Sequence, residues 1–231
     1  MFTVDELLSA HVSKPVSRWY KPFLRYLLCE KEFQRFGEKY PNLHGLDFIE
    51  QALRYLSFAC DVCEDELEHI PAQGPVVIIA NHPIGSLDGL ALLQVISRVR
   101  SDVKVVANQI LSQLKPLEEL LLPVDNMNGN TQRQQITAIH EHLEKGHALI
   151  VFPAGEVSRL GFHGISDGKW NHGFLRLASQ HRAAIVPIHV AGKNSWLFYG
   201  ASLLCKPLST LLLVREMMHQ RKGHVRIRIG A

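Results

Sequence analysis

His82 and Asp88 are the residues of this chain whose types and spacing best suit chemistry. They stand six positions apart in Asn81-His82-Pro83-Ile84-Gly85-Ser86-Leu87-Asp88, directly after the apolar run Val76-Val77-Ile78-Ile79-Ala80. That run reads as a buried strand, and the chain from Leu87 onward reads as a helix. In one straight helix, residues six apart diverge by roughly 120°. The pair therefore meets only across a turn, which Pro83 and Gly85 supply. An imidazole oriented by a carboxylate is a general base for a hydroxyl group. Ser86 lacks the G-x-S-x-G setting of a nucleophile elbow, so the hydroxyl is expected on the substrate. The plainer alternative is a histidine capping a loop and an aspartate in the first turn of a helix. Spacing alone does not choose between them.

Such a pair needs a rigid body behind it. The chain has 231 residues, 46% of them hydrophobic, enough for one globular domain or one domain with a helical extension. A net charge of +3 and 20% charged residues make no demand for nucleic acid. Met1-Phe2-Thr3-Val4-Asp5-Glu6 lacks the basic and apolar regions of a signal peptide. No apolar run reaches the roughly 20 residues that span a bilayer. A cytoplasmic protein, soluble or peripheral, is expected. Cys60 and Cys63 form a C-x-x-C, but His69 is the one candidate third ligand and no fourth is evident. Zinc normally takes four, so the cysteines read as structural.

Residues from about 4 to 58 read as helical, with Trp19, Phe23, Tyr26, Leu27, Phe33 and Phe36 at helical spacing. Lys14, Arg18, Lys21, Arg25, Lys31 and Arg35 are interleaved with them. This stretch is expected to dock on the core, with one face available to a membrane surface through Arg18, Lys21 and Arg25. From about residue 75, strands and helices alternate. Strands are expected at 75–80, 103–107, 121–124, 147–152, 184–190 and 224–229, and helices at 87–100, 109–119, 131–145, 171–181 and 207–221. The alternation predicts an α/β fold with a largely parallel or mixed central sheet. The strand at 224–229 closes the chain and is expected at a sheet edge, which suggests a fragment of a longer protein. Domain boundaries are placed at 1–60 for the helical extension and 61–231 for the α/β domain.

A second turn follows the strand at 147–152: Phe152-Pro153-Ala154-Gly155-Glu156-Val157-Ser158-Arg159. Ligands in α/β sheets gather at the carboxyl ends of strands, so the two turns are expected to share a cleft. Gly155 lets a substrate approach the backbone. Glu156 and Arg159 either bind polar head-group atoms or pair with each other. Lys169 and Trp170 fall at the expected cleft mouth. Residues around Leu203-Leu204 and Leu211-Leu212-Leu213, with Trp196, Phe198 and Tyr199, serve either as core or as acyl-chain surface. His140 and His142, about 200° apart on a helix, make a poor chelate and read as an exposed face. Nothing assigns work to His163, His172 or His189.

Taken together, the His–Asp pair after a strand, the strand ending Phe-Pro-x-Gly, Gly173-Phe174-Leu175-Arg176-Leu177-Ala178 and Ile185-Val186-Pro187-Ile188 resemble the lysophospholipid (glycerolipid) acyltransferase family of H-x4-D type. The likeness covers about residues 70–230. The variant Phe-Pro-Ala-Gly-Glu-Val-Ser is most similar to the bacterial hemolysin-named branch, which includes acyltransferases of ornithine-lipid synthesis. The resemblance implies a three-layer α/β fold with a mixed central sheet. It implies acyl transfer from a thioester of acyl carrier protein or coenzyme A to a lyso-lipid hydroxyl, at the inner face of the cytoplasmic membrane. It needs no metal, bound cofactor or covalent acyl-enzyme. His82 and Asp88 are then the catalytic pair, and Asn81, Ser86, Pro153, Gly155, Glu156 and Arg159 are candidates for binding substrate. Rival readings are a non-catalytic lipid-binding protein and a lipid or thioester hydrolase.

The chain departs from phosphatidic-acid-forming relatives, which usually carry Phe-Pro-Glu-Gly-Thr-Arg. Here Ala154, Glu156 and Val157 take the Glu, Thr and Arg places, and Asn108 and Asn126 stand where cations commonly serve a phosphate. An unpaired Glu156 would repel phosphate and attract an ammonium group. A lyso-lipid with an amine head, such as a lyso-ornithine lipid, is therefore expected over lysophosphatidic acid or glycerol 3-phosphate.

Overall fold

The structure is a computed structural model that describes residues 4–5, 19–108, 111, 114–124, 133–161, 164–204 and 206–231. From residue 19 on, the described elements open with helices α1 (Lys21–Leu27), α2 (Glu30–Lys39) and α3 (Gly45–Leu56). Then follow β1 (Ala59–Val62), a 3-10 turn at Glu64–His69, β2 (Val76–Ala80), α4 (Ser86–Ile96) and β3 (Lys104–Asn108). A second 3-10 turn (Lys115–Leu120) leads into β4 (Leu121–Val124), α5 (Arg133–Glu144) and β5 (Ala148–Val151). The chain continues through the hairpin β6 (Arg159–Gly161) and β7 (Gly164–Ser166), then α6 (Gly173–His181) and β8 (Ala184–Ala191). It ends with α7 (Trp196–Leu204), α8 (Lys206–His219) and β9 (His224–Ile229).

Seven strands form one sheet in the order β1-β9-β8-β2-β5-β3-β4. All neighbours are parallel except β8 and β9. The sheet is thus mixed, as expected. β2 is buried along its whole length because it lies inside the sheet with both faces covered. Val76, Ile78 and Ala80 enter the main core with α3 and α4, while Val77 and Ile79 enter a second cluster with Ile139 and Leu143 of α5 and Ala178 of α6. This is the three-layer half. β8 and β9 instead alternate buried and exposed residues, so among the described residues that half has helices on one face only.

Three expectations change. β9 is not an edge: β1 pairs outside it, with Cys60 opposite Val225. β1 escaped notice because Ala-Cys-Asp-Val carries no apolar run. The helix expected at 109–119 falls partly outside the described residues, and its end is the 3-10 turn Lys115–Leu120, opened by Pro116. The run after Gly192, given no element from sequence, forms α7. In the N-terminal region, Phe48, Ile49, Leu53 and Leu56 of α3 belong to the same core as the sheet. β1 straddles residue 60.

Candidate active site

β2 delivers the chain to the carboxyl edge of the sheet, and five residues later α4 begins. The first turn of α4 places Asp88 at its third helical position, where its Oδ2 accepts hydrogen bonds from Ile84 N at 2.9 Å and Gly85 N at 3.0 Å. The Asp88 amide donates back to Gly85 O at 2.9 Å. Gly85 has φ of 91°, a left-handed conformation that glycine enters without a Cβ penalty. The turn so formed folds His82 back over the helix start. His82 Nδ1 lies 3.1 Å from Asp88 Oδ2. The contact is close but off the axis of a well-directed hydrogen bond.

The two partners differ in exposure. The His82 side chain is 18% exposed, whereas Asp88 is fully buried. Burial pushes the Asp88 carboxyl above the ordinary carboxylate range, and the contacts with His82, Ile84 and Gly85 pull it back only in part. Among the described residues Asp88 Oδ1 has no partner. With Nδ1 facing the carboxylate, the remaining ring nitrogen is the one placed to take a proton.

The second motif reaches the same point. β5 pairs with β2 in parallel, so both turns leave the sheet at one edge. The Phe152 ring stacks on His82 at 4.0 Å between centroids, with 28° between planes. Ser158 N donates to His82 O at 2.8 Å. The two turns therefore meet at one edge of the sheet.

Five residues, Pro83 to Leu87, lie between His82 and Asp88, so the pair is one residue longer than an H-x4-D motif; the left-handed Gly85 lies within the turn that accommodates the length. Asn81 grips β8: its Nδ2 donates to Val190 O at 2.9 Å and its Oδ1 accepts from Val190 N at 2.7 Å. Its side chain thus joins two strand ends. Ser86 is exposed at the start of α4, and Pro153 is buried with its carbonyl accepting from Asn171 N at 2.9 Å. Gly155, at φ 68°, is exposed with open space where a Cβ would stand.

Glu156 is not the unpaired carboxylate that the acceptor argument required. Arg159 Nε reaches its Oε2 at 2.9 Å, and Arg159 Nη1 donates to Ser209 at 2.7 Å. The premise for an attracted ammonium head falls with this pairing. Val157 is buried, and Asn126 lies outside the described residues.

Other histidines and cysteines find local roles. His142, expected on an exposed face, is buried and bonds Ala148 O at 2.8 Å. Burial lowers its pKa most, beyond what that bond restores. His140 bonds His181 at 2.7 Å. His69 bonds Ile229 O at 2.9 Å and is no partner to Cys60 and Cys63. Burial, with Asp61 beside it, pushes the Cys60 thiol up to about 11, the mark of an inert cysteine. His163 lies outside the described residues.

Two participants carried no motif signal. Asp167 accepts from His82 N at 3.2 Å, from Ser158 Oγ and from Trp170 Nε1 at 3.1 Å. Asn194 donates to Pro83 O at 3.2 Å, and its amide N–H donates to the buried Tyr199 hydroxyl at 3.0 Å. These link the His82 turn to segments more than 80 residues away in sequence. Hollows of about 440 Å³ beside His44 and His147, and about 370 Å³ beside Cys60 and Arg98, do not include His82. Side-chain geometry, rather than cavity size, marks the site.

The sequence also has relatives. It is 26% identical over 240 residues to a lyso-glycine lipid O-acyltransferase of Phocaeicola vulgatus, covering 100% of this chain and 85% of that one. It is 27% identical over 240 residues to one of Bacteroides thetaiotaomicron, covering 100% and 87%. Among solved structures, the 1-acyl-sn-glycerophosphate acyltransferase PlsC of Thermotoga maritima shares 18% identity at a TM-score of 0.48, over 98% of this chain and 75% of that one. The sequence model of the acyltransferase family matches residues 7–231. A match that runs through both motif turns and every described strand means that the chain belongs to the acyltransferase family, and is an enzyme of acyl transfer.

Proposed function

We propose that the protein moves a fatty acyl group from an acyl thioester to a hydroxyl of a lyso-lipid, with His82 as general base and Asp88 as the group that orients it. The observation that carries this reading is the 3.1 Å approach of His82 Nδ1 to a fully buried Asp88 at the end of a central strand. Nδ1 keeps its proton toward the carboxylate. Nε2 accepts the proton of the acceptor hydroxyl as its oxygen attacks the thioester carbonyl. The carbonyl carbon becomes tetrahedral, and collapse breaks the C–S bond and expels the thiolate, which takes the proton held on His82 Nε2 and leaves as thiol, so the imidazole returns to neutral. The developing oxyanion suits the amide-rich start of α4, where helix N–H groups and the helix dipole favour negative charge.

The acceptor class we favour is a lyso-lipid built on an amino acid. Both relatives are named for a lyso-glycine lipid, and Val157 stands where a phosphate-handling arginine is usual. The donor is a thioester of acyl carrier protein or coenzyme A. A lipid surface is the second partner. No described helix is long and apolar enough to cross a membrane. However, α7 carries no charged residue and exposes Trp196 (74%), Leu197, Leu203 and Leu204 (90%). At about 100° per residue these occupy an arc of roughly 120°. Trp19, Tyr20, Phe23 and Tyr26, in and just before α1, are also exposed, and Arg215 of α8 lies over the Tyr26 ring at 5.5 Å. Lys21 and Arg25 contribute less charge than their types suggest, because both pair with Asp5. Arg18 lies outside the described residues.

The test is a competition assay. Lyso-glycine lipid, lyso-ornithine lipid and lysophosphatidic acid are offered together with acyl-carrier-protein or coenzyme A thioester, and products are read by mass spectrometry. O-acylated amino-acid lipid should dominate. Dominant phosphatidic acid overturns the acceptor class, and acyl release without acceptor at equal rate overturns transfer in favour of hydrolysis. Sedimentation with phosphatidylglycerol vesicles should fall when Leu203 and Leu204 are changed to Glu; undiminished binding removes α7 from the membrane surface.

A further inference from the structure

His82 sits on an irregular loop whose next residue, Pro83, has no amide hydrogen to anchor it. Asp88 reaches the ring and caps its own helix, but nothing in that contact fixes where the His82 backbone stands. Asp167 and Ser158 do. Asp167 Oδ1 accepts from His82 N and from Ser158 Oγ, and Ser158 N donates to His82 O. Residue 82 is thus held through both backbone groups by one closed ring of hydrogen bonds. The other Asp167 oxygen accepts from the Trp170 indole, whose ring meets Phe174 of α6 edge-on at 6.5 Å. Ser158 is 3% exposed, so its hydroxyl has little water to turn to.

We propose that Asp167 is the positioning residue of this site: with Ser158 it sets the place of the His82 ring, and through Trp170 it ties that place to helix α6. A carboxylate is the side chain suited to the task, since it accepts only and three donors converge on it. A base must be held to within about 0.5 Å of its productive geometry, and displacement by about 1 Å costs on the order of 100-fold in rate.

The proposal rests on His82 being the base, and the variants separate the two. In Asp167→Ala, kcat should fall about 30- to 100-fold while KM for the thioester moves less than about 3-fold. Asp167→Asn keeps an acceptor toward His82 and Ser158 but turns an amide toward the Trp170 N–H. It should recover to within about 5-fold of the parent, match Trp170→Phe, and lose nothing further in the double variant. Parent-like kcat in Asp167→Ala, alongside an inactive His82→Ala, overturns the positioning role alone. An active His82→Ala overturns the base itself. If Asp167→Ala does not fold, the Asp167→Asn and Trp170→Phe pair decides: independent, additive losses overturn the proposal, and non-additive ones uphold it.

Discussion

Arg100 and Asp88 are both charged and both sealed inside, at opposite edges of the same sheet, and the protein treats them differently. Arg100 is 3% exposed and lies where β2, β3 and β5 begin. Its five N–H groups go to Asp102 Oδ1 and Oδ2 and to the carbonyls of Pro71, Gly74 and Gly146, at 2.7 to 2.9 Å. That exhausts a guanidinium. Asp88 lies past the end of β2 with three neighbours crowded on one oxygen and none on the other. A buried charge whose capacity is filled holds segments together. One left half-satisfied beside a partly exposed histidine is costly to keep, which is the pattern the proposed general-base role would call for.

The largest expected effect lies at the Asp88 edge. His82→Ala should lower acyl-transfer kcat by about 10³- to 10⁴-fold with the melting temperature preserved, as removal of a general base does. Near-parent turnover would erase the functional side of the comparison. At the other edge the effects should invert. Arg100→Met strands Asp102 and three carbonyls, and should cost about 3–5 kcal/mol in denaturant melts while the folded fraction keeps its specific activity. Equal loss of activity and stability would mean that the two edges are not separate in function.

Asp88→Asn sharpens the contrast through pH. Activity should drop about 100-fold or more, since an amide no longer holds the imidazole in the required tautomer. Stability should move the other way. Burial raises the Asp88 pKa above its ordinary value, so keeping the carboxylate ionised inside the fold costs stability that grows as pH rises above the ordinary carboxylate value. The gain in melting temperature from Asp88→Asn should therefore grow as pH rises above about 4, the ordinary carboxylate value. Asp102 has the opposite sign. Burial raises it, but the Arg100 hydrogen bonds and charge outweigh burial and leave it lowered. Its contribution is present above the ordinary carboxylate value and is lost as pH falls through the lowered one, so the Arg100→Met deficit should shrink in acid. Parallel pH slopes in calorimetry would contradict the distinction.

The smallest effect is expected at Glu156, whose pairing with Arg159 is part-exposed. Glu156→Gln should cost less than about 1 kcal/mol and leave the order of preferred acceptors unchanged. A reversal of that order would return Glu156 to the substrate.

What the sequence by itself determined are features coded over short distances. Strand β2 is a continuous β-branched run, and the Pro83–Gly85 turn is written in the two residue types that permit it. That His82 can come round to Asp88 follows from that turn and the first turn of α4. The alternation of strands and helices likewise specified an α/β sheet. Elements without a local pattern were not legible. β1 becomes a strand because β9 offers it a parallel partner, and β9 becomes interior for the same reason. The fate of each polar side chain was decided in three dimensions. Asn81 is spent on Val190, 109 residues away, Glu156 on Arg159, and Asp167 on the backbone of His82, 85 residues away. A hydrogen bond acts over about 3 Å and is blind to sequence separation, so only the folded chain determines which donors and acceptors come within reach.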